Sequence, residues 1–326
     1  MATLQTTFAG LKLKNPVIVS SSGLTDSAAK NQKLAEAGAG AIVLKSLFEE
    51  QILMETDHID DPSFSPESSD YLVAYLRQHK LNEYLQLIRD SKKVCGEVPV
   101  IASINCYDDS NWVDFARQIE AAGADAIEVN ILALQTEVNY SYGAFEQRHI
   151  DILRHVRSTV KLPVIMKLGD NLTNPVALIN QLRANGAAAV VLFNRFYQPD
   201  IDVEKLTQSI GHVLSNEADL AKSLRWTGIA SAAVSGVDYA VSGGVHTPDA
   251  VVKAVLAGAS AVEVCSAIYS KGAGVIAEFC HFMEQWMERK GMERIESFKG
   301  LLNQKDAQGV NTFERTQFLK YFATYE

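Results

Sequence analysis

The chain contains few of the residues that build disulfide frameworks or metal centres. Its four cysteines lie far apart without any paired spacing: Cys95, Cys106, Cys265 and Cys280. The seven histidines form neither an H-x-H nor an H-E-x-x-H motif, so the sequence predicts no metal site. Scattered single cysteines are typical of a reducing compartment, and we therefore expect a cytoplasmic protein.

The chain is also short of positive charge and of long apolar runs. It has 30 Lys and Arg against 39 Asp and Glu, a net charge of −9, which argues against a nucleic-acid-binding surface. No apolar run reaches the roughly 18 residues of a membrane-spanning helix, and the N-terminal residues do not resemble a signal peptide. With 47% hydrophobic residues, the composition predicts a soluble acidic enzyme that acts on a small molecule, away from membranes.

An Ala-Gly-Ala-like segment that leads into a short apolar run and a polar residue occurs four times. The copies are A-G-A-G-A-I-V-L-K (37–45), A-G-A-D-A-I-E-V-N (122–130), N-G-A-A-A-V-V-L-F-N (185–194) and A-G-A-S-A-V-E-V-C-S (257–266). A second phrase alternates with it, as P-V-I-V-S-S-S (16–22), P-V-I-A-S-I-N (99–105) and P-V-I-M-K-L-G (163–169). Short apolar runs without alternation are typical of parallel strands buried on both faces. The pattern predicts a (β/α)8 TIM barrel, formed by residues 1–326 as a single domain.

The predicted barrel strands follow these phrases in order. They are Val17–Ser21, Ala41–Lys45, Val100–Asn105, Ala126–Asn130, Val164–Leu168, Ala189–Asn194, Tyr239–Ser242 and Ala261–Cys265. Residues 4–14 alternate in polarity and turn at Ala9-Gly10, which predicts an N-terminal hairpin that closes the bottom of the barrel.

Three long segments interrupt the alternation of predicted strands and helices. An acidic Ser/Pro-rich insertion covers 48–70 after strand 2, and helical spacing resumes over Leu81–Val94. A second long connection, 131–145, follows strand 4. The third, 195–237, precedes strand 7, and in it we predict a helix near Val203–Ile210 and an extra strand or hairpin over Leu224–Ala230. Loops of such length in a compact domain are usually functional lids or are disordered.

Polar side chains gather where the predicted strands end, which is where barrels of this kind carry their active sites. They include Ser20, Ser21, Ser22, Lys45, Ser46, Asn105, Cys106, Glu128, Asn130, Lys167, Asn194, Arg195, Ser242, Gly243, Gly244, Cys265 and Ser266. Each lysine or asparagine alone could equally serve the structure, by reaching solvent or by forming a turn, and Cys265 could be a buried apolar residue. Together they predict a site for a large polar ligand with carbonyl and phosphate groups.

Two further features narrow the chemistry of this predicted site. Ser242-Gly243-Gly244 comes after strand 7, and the next helix opens at Thr247, so backbone N–H groups there are expected to bind a phosphate. No carboxylate pair is apparent among the strand-end residues, which disfavours the hydrolysis of a glycosidic bond.

The same segments, taken in order, resemble the dihydroorotate dehydrogenases and the C-terminal part of dihydropyrimidine dehydrogenase. The resemblance covers nearly the whole chain through F-A-G-L-K-L-K-N-P-V-I-V-S-S-S-G (8–23), L-K-S (44–46), I-E-V-N (127–130), V-I-M-K-L (164–168), L-F-N (192–194), S-G-G-V (242–245) and the segment 257–272. It implies an FMN-dependent barrel that oxidises dihydroorotate to orotate in pyrimidine biosynthesis. It further implies the soluble, homodimeric branch of the family. The sequence has no cysteine cluster for an iron–sulfur centre, so an NAD-linked electron route would need a second subunit.

The resemblance also implies a role for each matching residue. Lys45 would face flavin and substrate, Asn130 would contact both, and Asn194 would hydrogen-bond the substrate. Lys167 would lie beside the flavin ring near N1 and O2. The other cofactor-binding residues would be Ser21, Ser22 and Gly23 along the ring, and Ser242, Gly243, Gly244, Cys265 and Ser266 around the phosphate.

On the substrate side the sequence departs from the family pattern. The family's strand 4 loop reads N-x-S-C-P-N or N-x-S-S-P-N, and its Cys or Ser is the catalytic base. Here the stretch is N-I-L-A-L-Q (130–135), which places Ala133 at the position of the base. The family's N-x-G-L segment after strand 2 is also missing. Cys106 and Thr136 are the candidates for a substitute base.

Three alternatives to dihydroorotate oxidation remain open from the sequence. The first is a flavin oxidoreductase that acts on a different small substrate. The second is a phosphate-binding lyase or isomerase that uses Lys167 as a Schiff-base nucleophile. The third is a flavin-binding protein without catalytic activity.

Overall fold

The computed structural model describes residues 2–48, 66–105 and 112–306. Its strands are β1 (Thr6–Phe8), β2 (Leu11–Leu13), β3 (Val17–Val19), β4 (Ala41–Val43), β5 (Leu47–Phe48), β6 (Val100–Asn105), β7 (Ala126–Ile131), β8 (Val164–Gly169), β9 (Ala189–Asn194), β10 (Pro199–Asp202), β11 (Thr207–Ile210), β12 (Asp238–Ser242) and β13 (Ala261–Val264). Eight of them, β3, β4, β6, β7, β8, β9, β12 and β13, pair in parallel as a ring, in which β4 pairs with β6 and β13 pairs with β3; the short β5 also pairs in parallel with β6. The sheet is therefore closed, and the predicted (β/α)8 TIM barrel is confirmed.

Helices surround the barrel between its strands. They are α1 (Ala28–Glu36), α2 (Pro66–Val94), α3 (Trp112–Ala122), α4 (Ala144–Thr159), α5 (Pro175–Ala184), α6 (Leu220–Ala233), α7 (Pro248–Leu256), α8 (Ser266–Lys271) and α9 (Val275–Lys290). The repeated Ala-Gly segment forms the turn from a helix into the next strand. Its glycines adopt positive φ angles of 91° to 114°, a conformation that costs glycine little: Gly38, Gly123, Gly186 and Gly258.

Small and branched apolar side chains fill the amino-terminal end of the barrel interior. The cluster consists of Ile18, Ala41, Val43, Ile101, Ala126, Ile165, Ala189, Val191, Ala240 and Ala261, with Phe8, Ala9 and Leu13 of the hairpin packed against them. β1 and β2 pair in antiparallel register from Thr6 opposite Leu13 to Phe8 opposite Leu11. The predicted hairpin at 4–14, with its turn at Ala9-Gly10, is confirmed as the floor of the barrel.

Two predictions within the excursion 195–237 are wrong. The predicted helix near Val203–Ile210 is instead part of the antiparallel hairpin β10–β11, where Pro199 lies opposite Ile210. Apolar residues recur there at helical spacing, but Leu206 is 87% exposed, so the spacing reflects no buried helix face. The Asp202 carboxylate accepts hydrogen bonds from the N–H groups of Glu204 and Lys205, which stabilises a tight turn in place of a helix.

The second wrong prediction is the strand or hairpin over Leu224–Ala230, because these residues lie inside α6. The residues W-T-G-I favour a strand by local propensity, but α6 buries Leu220, Ser223, Thr227 and Ala230 against the barrel. A capping box formed by Asn216 and Asp219 starts the short 3-10 turn that leads into this helix. Packing and capping thus outweigh the local preference.

Other boundaries differ from the predicted ones by small amounts. Strands 1, 2 and 8 end at Val19, Val43 and Val264, two, two and one residues before the predicted ends at Ser21, Lys45 and Cys265. Helix α2 begins at Pro66, well before the predicted Leu81. Most of the insertion 48–70 lies outside the described residues, and so does Cys106. Among the described residues, no helix is both long and apolar enough to cross a membrane.

Candidate active site at the carboxyl end of the barrel

Two asparagines at the ends of strands 4 and 6 bond to each other. Asn194 Nδ2 donates to Asn130 Oδ1 at 2.8 Å, and Asn194 Oδ1 accepts from the N–H of Arg195. Asn130 is buried and Asn194 is half-buried. Both side chains are therefore held in one orientation at the mouth of the barrel, where each retains capacity for further hydrogen bonds.

A chain of hydroxyl groups supports the loop that carries Lys45. Ser21 Oγ lies 3.0 Å from Ser46 Oγ, which lies 2.7 Å from Ser103 Oγ inside the barrel. Ser21 Oγ also accepts from the N–H of Ser46 at 2.9 Å. Behind this chain, Tyr84 Oη accepts from Ser103 N at 2.7 Å and donates to Ser103 O at 2.9 Å. Lys45 itself is half-buried, next to Ser46.

Lys167 turns its ammonium group into the barrel, towards two carboxyl groups. Its Nζ lies 2.5 Å from Glu263 Oε2, 3.4 Å from Glu128 Oε1 and 3.0 Å from Ser20 Oγ. Ser20 Oγ in turn donates to Glu263 Oε2 at 2.9 Å. In the strand pairing, Lys167 lies opposite Asn130, whereas Glu128 lies opposite Ile165, two residues earlier on the strand. The Lys167 side chain therefore points back towards the amino-terminal end of the barrel to reach Glu128. We refer to Lys167, Glu128 and Glu263 as the buried triad.

Burial and mutual charge determine the pKa values of the buried triad. Burial, followed by the negative charge of Glu263, raises the pKa of Glu128 well above its usual range. Burial also acts to raise the pKa of Glu263, but the charge of Lys167 and hydrogen bonds from its neighbours outweigh it and lower that pKa. Burial disfavours the charged form of Lys167, yet both carboxyl groups overcome this effect and raise its pKa. The lysine is therefore a charged, strongly held ammonium group.

The buried triad corrects the prediction that the site has no carboxylate pair, because strand 8 contributes Glu263, which the sequence reading had not singled out. The repeats contained a signal for it: A-D-A-I-E-V-N and A-S-A-V-E-V-C carry Glu128 and Glu263 at the same position. The matching residues in the other two copies are Val43 and Val191, both inside the barrel. Alternate strands of such a barrel contribute to one layer of interior side chains, so the two glutamates belong to the same layer.

The glycine-rich turn after strand 7 is joined to the loop after strand 8 by Ser215 of the excursion. Ser215 N donates to Ser266 Oγ at 3.0 Å, and Gly244 N donates to Ser215 Oγ at 3.4 Å. Ser215 Oγ also lies 2.9 Å from His246 Nε2. The structure thus brings Gly244 and Ser266 together as expected, with Ser242 buried beside them. Ser215 and His246 were not predicted, because contact between remote loops has no local signal.

Glycine is required at this turn for steric reasons. Gly243 and Gly244 have φ angles of 87° and 74°, which side chains of L residues rarely adopt. A Cβ on Gly244 would lie 2.1 Å from the backbone nitrogen of Leu220, whereas a Cβ on Gly243 would meet nothing within 4 Å. The turn is therefore pressed against the start of α6 on one side and open on the other.

The loop after strand 1 lies close to the loop after strand 8. Ser22 is half-buried, and its side chain acts to lower the pKa of the Cys265 thiol. Burial raises the pKa of Cys265, so this thiol stays protonated at neutral pH. A Cβ on Gly23 would come within 2.9 Å of Tyr269 Oη, so the turn and α8 approach each other closely.

Hydrogen bonds fix the strand 4 loop at Ala133, the position where the resemblance places a catalytic base. The carbonyl of Ala133 accepts from Asn171 Nδ2 at 2.9 Å and from Gln135 Nε2 at 3.0 Å. Asn171 Nδ2 also donates to Gln135 Oε1 at 2.9 Å. Ala133 is half-buried, and Thr136 is exposed further along the loop.

One residue expected at the mouth holds the excursion in place. Arg195 donates to the carbonyls of Val213 and His212 at 2.8 and 2.7 Å, and its Nε lies 3.6 Å from Asp219. The guanidinium group of Arg195 therefore binds the segment that follows the hairpin β10–β11. Within the described part of the chain, no group of three or more His, Cys, Asp or Glu side chains could hold a metal ion.

The fold and this site define a TIM-barrel enzyme whose polar side chains and glycine-rich turn meet at the carboxyl ends of the strands. The sequence model of dihydroorotate dehydrogenase matches residues 3–287. The chain therefore belongs to the dihydroorotate dehydrogenase family, and it is an oxidoreductase of that type.

Individual relatives agree with this assignment. The chain is 30% identical over 314 residues to dihydroorotate dehydrogenase B (NAD(+)), catalytic subunit, of Methanosarcina mazei, across 92% of this chain and 96% of that protein. It is 26% identical over 310 residues to the protein of the same name from Thermoplasma volcanium, across 92% and 99%. It is 23% identical over 322 residues to the NAD-dependent dihydropyrimidine dehydrogenase subunit PreA of Escherichia coli, across 92% and 77%.

Proposed function

We propose that this protein is an FMN-dependent dihydroorotate dehydrogenase-type enzyme that converts dihydroorotate to orotate in pyrimidine biosynthesis. The observation that carries the proposal is the fixed Asn130–Asn194 pair at the mouth, next to the strand that carries Lys167. FMN, when bound, would supply the hydride acceptor for the oxidation. The protein supplies orientation: Asn130 and Asn194 bind the amide groups of the substrate, and Lys45 pairs with its carboxylate.

The residues around the glycine-rich turn fit a phosphate-bearing cofactor. A Cβ on Gly243 would point into open space, and the adjacent Ser215, His246 and Ser266 already form a hydrogen-bonded group. Backbone N–H groups in such a turn, with hydroxyl groups beside them, suit a phosphate dianion. We assign Ser242, Gly243, Gly244, Cys265 and Ser266 to the phosphate end, and Ser21, Ser22 and Gly23 to the ring.

The chemistry of Lys167 disfavours the lyase alternative. A Schiff base requires an unprotonated amine as the nucleophile. The ammonium group of Lys167 is bound by Glu263 and Glu128, which raise its pKa and keep it charged. A charged lysine suits electrostatic stabilisation of an anionic ring instead.

Ala133 favours a second candidate function, a flavin oxidoreductase that acts on another small cyclic amide. A methyl group cannot remove a proton, and the Ala133 carbonyl is fastened by Asn171 and Gln135. A general base typically contributes about 10²–10⁴ in rate. Dihydroorotate turnover by the natural protein is therefore expected to be slow unless Cys106 or Thr136 acts as the base.

One experiment distinguishes these two candidates. The protein is loaded with FMN and mixed anaerobically with dihydroorotate or dihydrouracil, and the bleaching of flavin absorbance gives the rate of reduction. We expect Ala133→Cys and Ala133→Ser to accelerate bleaching by dihydroorotate by about 10²–10⁴, with Ala133→Val as the control that changes size alone. Protein that stays colourless with FMN would refute flavin dependence. Fast bleaching by dihydrouracil alone would instead support the second candidate.

We further propose a cytoplasmic homodimer, as the resemblance to the soluble branch of the family implies. The free thiols Cys95, Cys265 and Cys280 agree with a reducing compartment. Sedimentation velocity of the FMN-loaded protein measures the assembly state, and a concentration-independent monomer would contradict the dimer.

A further inference from the structure

The centre of the barrel holds two acidic groups and one basic group away from solvent. Lys167, Glu128 and Glu263 are 5%, 0% and 2% exposed. Glu128 comes from strand 4 and Glu263 from strand 8, on opposite sides of the barrel, and Lys167 Nζ contacts both. If both carboxyl groups were ionised, the buried triad would carry one uncompensated negative charge, which costs several kcal/mol in such an environment.

If both carboxyl groups are ionised, each of them has one oxygen that receives no hydrogen bond. Glu128 Oε2 and Glu263 Oε1 are buried and have no donor among the described residues. Both side chains nevertheless contact the same Lys167 Nζ, at 3.4 Å from Glu128 Oε1 and 2.5 Å from Glu263 Oε2, so the two carboxyl groups are close neighbours. A proton shared between the two groups would let one carboxyl group donate a hydrogen bond to the other, since a protonated carboxyl group can donate where an ionised one cannot.

We propose that Glu128 and Glu263 share a single proton and together form the counter-charge of Lys167, with Glu263 as the residue that positions its ammonium group below the mouth. The buried triad then has no net charge: one ammonium, one carboxylate and one carboxylic acid. The proposal goes beyond the proposed function and rests on it only for the role of Lys167 towards the cofactor.

The directions of the pKa values agree with this assignment. The pKa of Glu128 is raised and that of Glu263 is lowered, so the proton resides mainly on Glu128. Two other titratable groups face the pair, Tyr84 towards Glu128 and Cys265 towards Glu263. Burial raises the pKa of both, so neither supplies a further charge near pH 7.

A neutral buried triad has a consequence for the mouth of the barrel. The charge of Lys167 is cancelled locally, so its attraction for an anion at long range is small. Lys45, which is half-buried in the loop above, remains as a positive group that can attract an anionic ligand. Lys167 can therefore stabilise an anionic group only at short range. The strength of that interaction depends on the position of Lys167 Nζ, which the contact with Glu263 sets.

Infrared spectroscopy of the ligand-free protein tests the shared proton directly. Carboxylic acids have a C=O stretching band that carboxylates lack, and exposed Asp and Glu side chains are ionised at pH 7. We expect one acid band at pH 7 that shifts after exchange into D₂O and after labelling with ¹³C-glutamate. In Glu128→Gln and in Glu263→Gln the remaining carboxyl group ionises beside Lys167, so the band is lost in both variants.

The exposed Glu288→Gln serves as the matched control and keeps the band. An unaltered protein without an acid band at pH 7 would overturn the proposal, and so would a band that persists in both variants of the pair. The labelled wild-type sample gives an answer even where a variant does not fold. No arm uses FMN or substrate, so a failure here is distinct from a failure of the proposed function.

Discussion

Replacing Lys167 with methionine removes the cation from the buried triad and leaves the two carboxyl groups without it. Methionine is close to lysine in length and keeps the side chain apolar, so the change is mainly one of charge. Lys167 Nζ now makes three contacts, with Glu263, Glu128 and Ser20. Removal of one partner from a buried ion pair typically costs about 3–5 kcal/mol of unfolding free energy. We expect a loss of that size at pH 7.5.

The loss should depend on pH in a defined direction. In the natural protein the pKa of Glu263 is lowered, mainly because Lys167 outweighs burial, so Glu263 contributes stability at neutral pH that is lost in acid. In Lys167→Met the charge and the hydrogen bond of Lys167 are lost, so burial, the largest influence on Glu263, is expected to raise its pKa above the unfolded value of about 4.3. Folding then requires a second bound proton, so the variant loses stability as pH rises above about 4.3.

Urea denaturation at pH 4.5 and at pH 7.5, followed by circular dichroism, measures both effects. Lys92→Met is the matched control, because the ion pair of Lys92 with Asp125 is partly exposed and worth at most about 1 kcal/mol. We expect a larger difference between Lys167→Met and the natural protein at pH 7.5 than at pH 4.5. A loss within about 1 kcal/mol at both pH values would refute the description of the buried triad as a coupled group.

Two further predictions concern buried polar groups behind the site. Tyr84→Phe leaves the Ser103 N–H without its 2.7 Å acceptor, so we expect urea denaturation to show an unfolding free energy lower by about 1–3 kcal/mol. The control is Tyr75→Phe at an exposed position on the same helix, which should change the unfolding free energy little. Equal effects of the two substitutions would contradict this prediction. Burial lowers the pKa of His149 to about 4, so the unfolded state takes up a proton more readily below pH 6.5, and stability should fall by about 2 kcal/mol between pH 7.5 and 5. His149→Phe should remove that decrease, and an unchanged pH dependence would argue against a buried neutral imidazole.

The sequence alone determined the barrel and the order of its strands. Interior strands need short apolar runs on both faces, and the helix-to-strand turns need glycine at positive φ, so both constraints recur at fixed positions in the four repeats. Strand-end residues such as Asn130 and Asn194 could be named because the carboxyl ends of parallel strands must meet at one rim.

The excursion before strand 7 shows where local signals fail. The hairpin β10–β11 and helix α6 were predicted with their structures interchanged. Apolar spacing around Leu206 is helical but unburied, and the strand-favouring residues near Trp226 are overruled by the packing of α6 on the barrel. Local preference is weak in both segments, and contacts with distant residues decide the outcome.

Only the tertiary structure revealed how the charges of the site are connected. Glu128 and Glu263 are 135 residues apart (263 − 128) and Lys167 lies between them in sequence, yet closure of the sheet brings the three charged groups into contact inside the barrel. Ser215 likewise joins two remote loops at the glycine-rich turn. A sequence specifies which side chains face inward, but the pKa values and partners of these groups depend on distances across the barrel. Those distances exist only once the eighth strand has paired with the first.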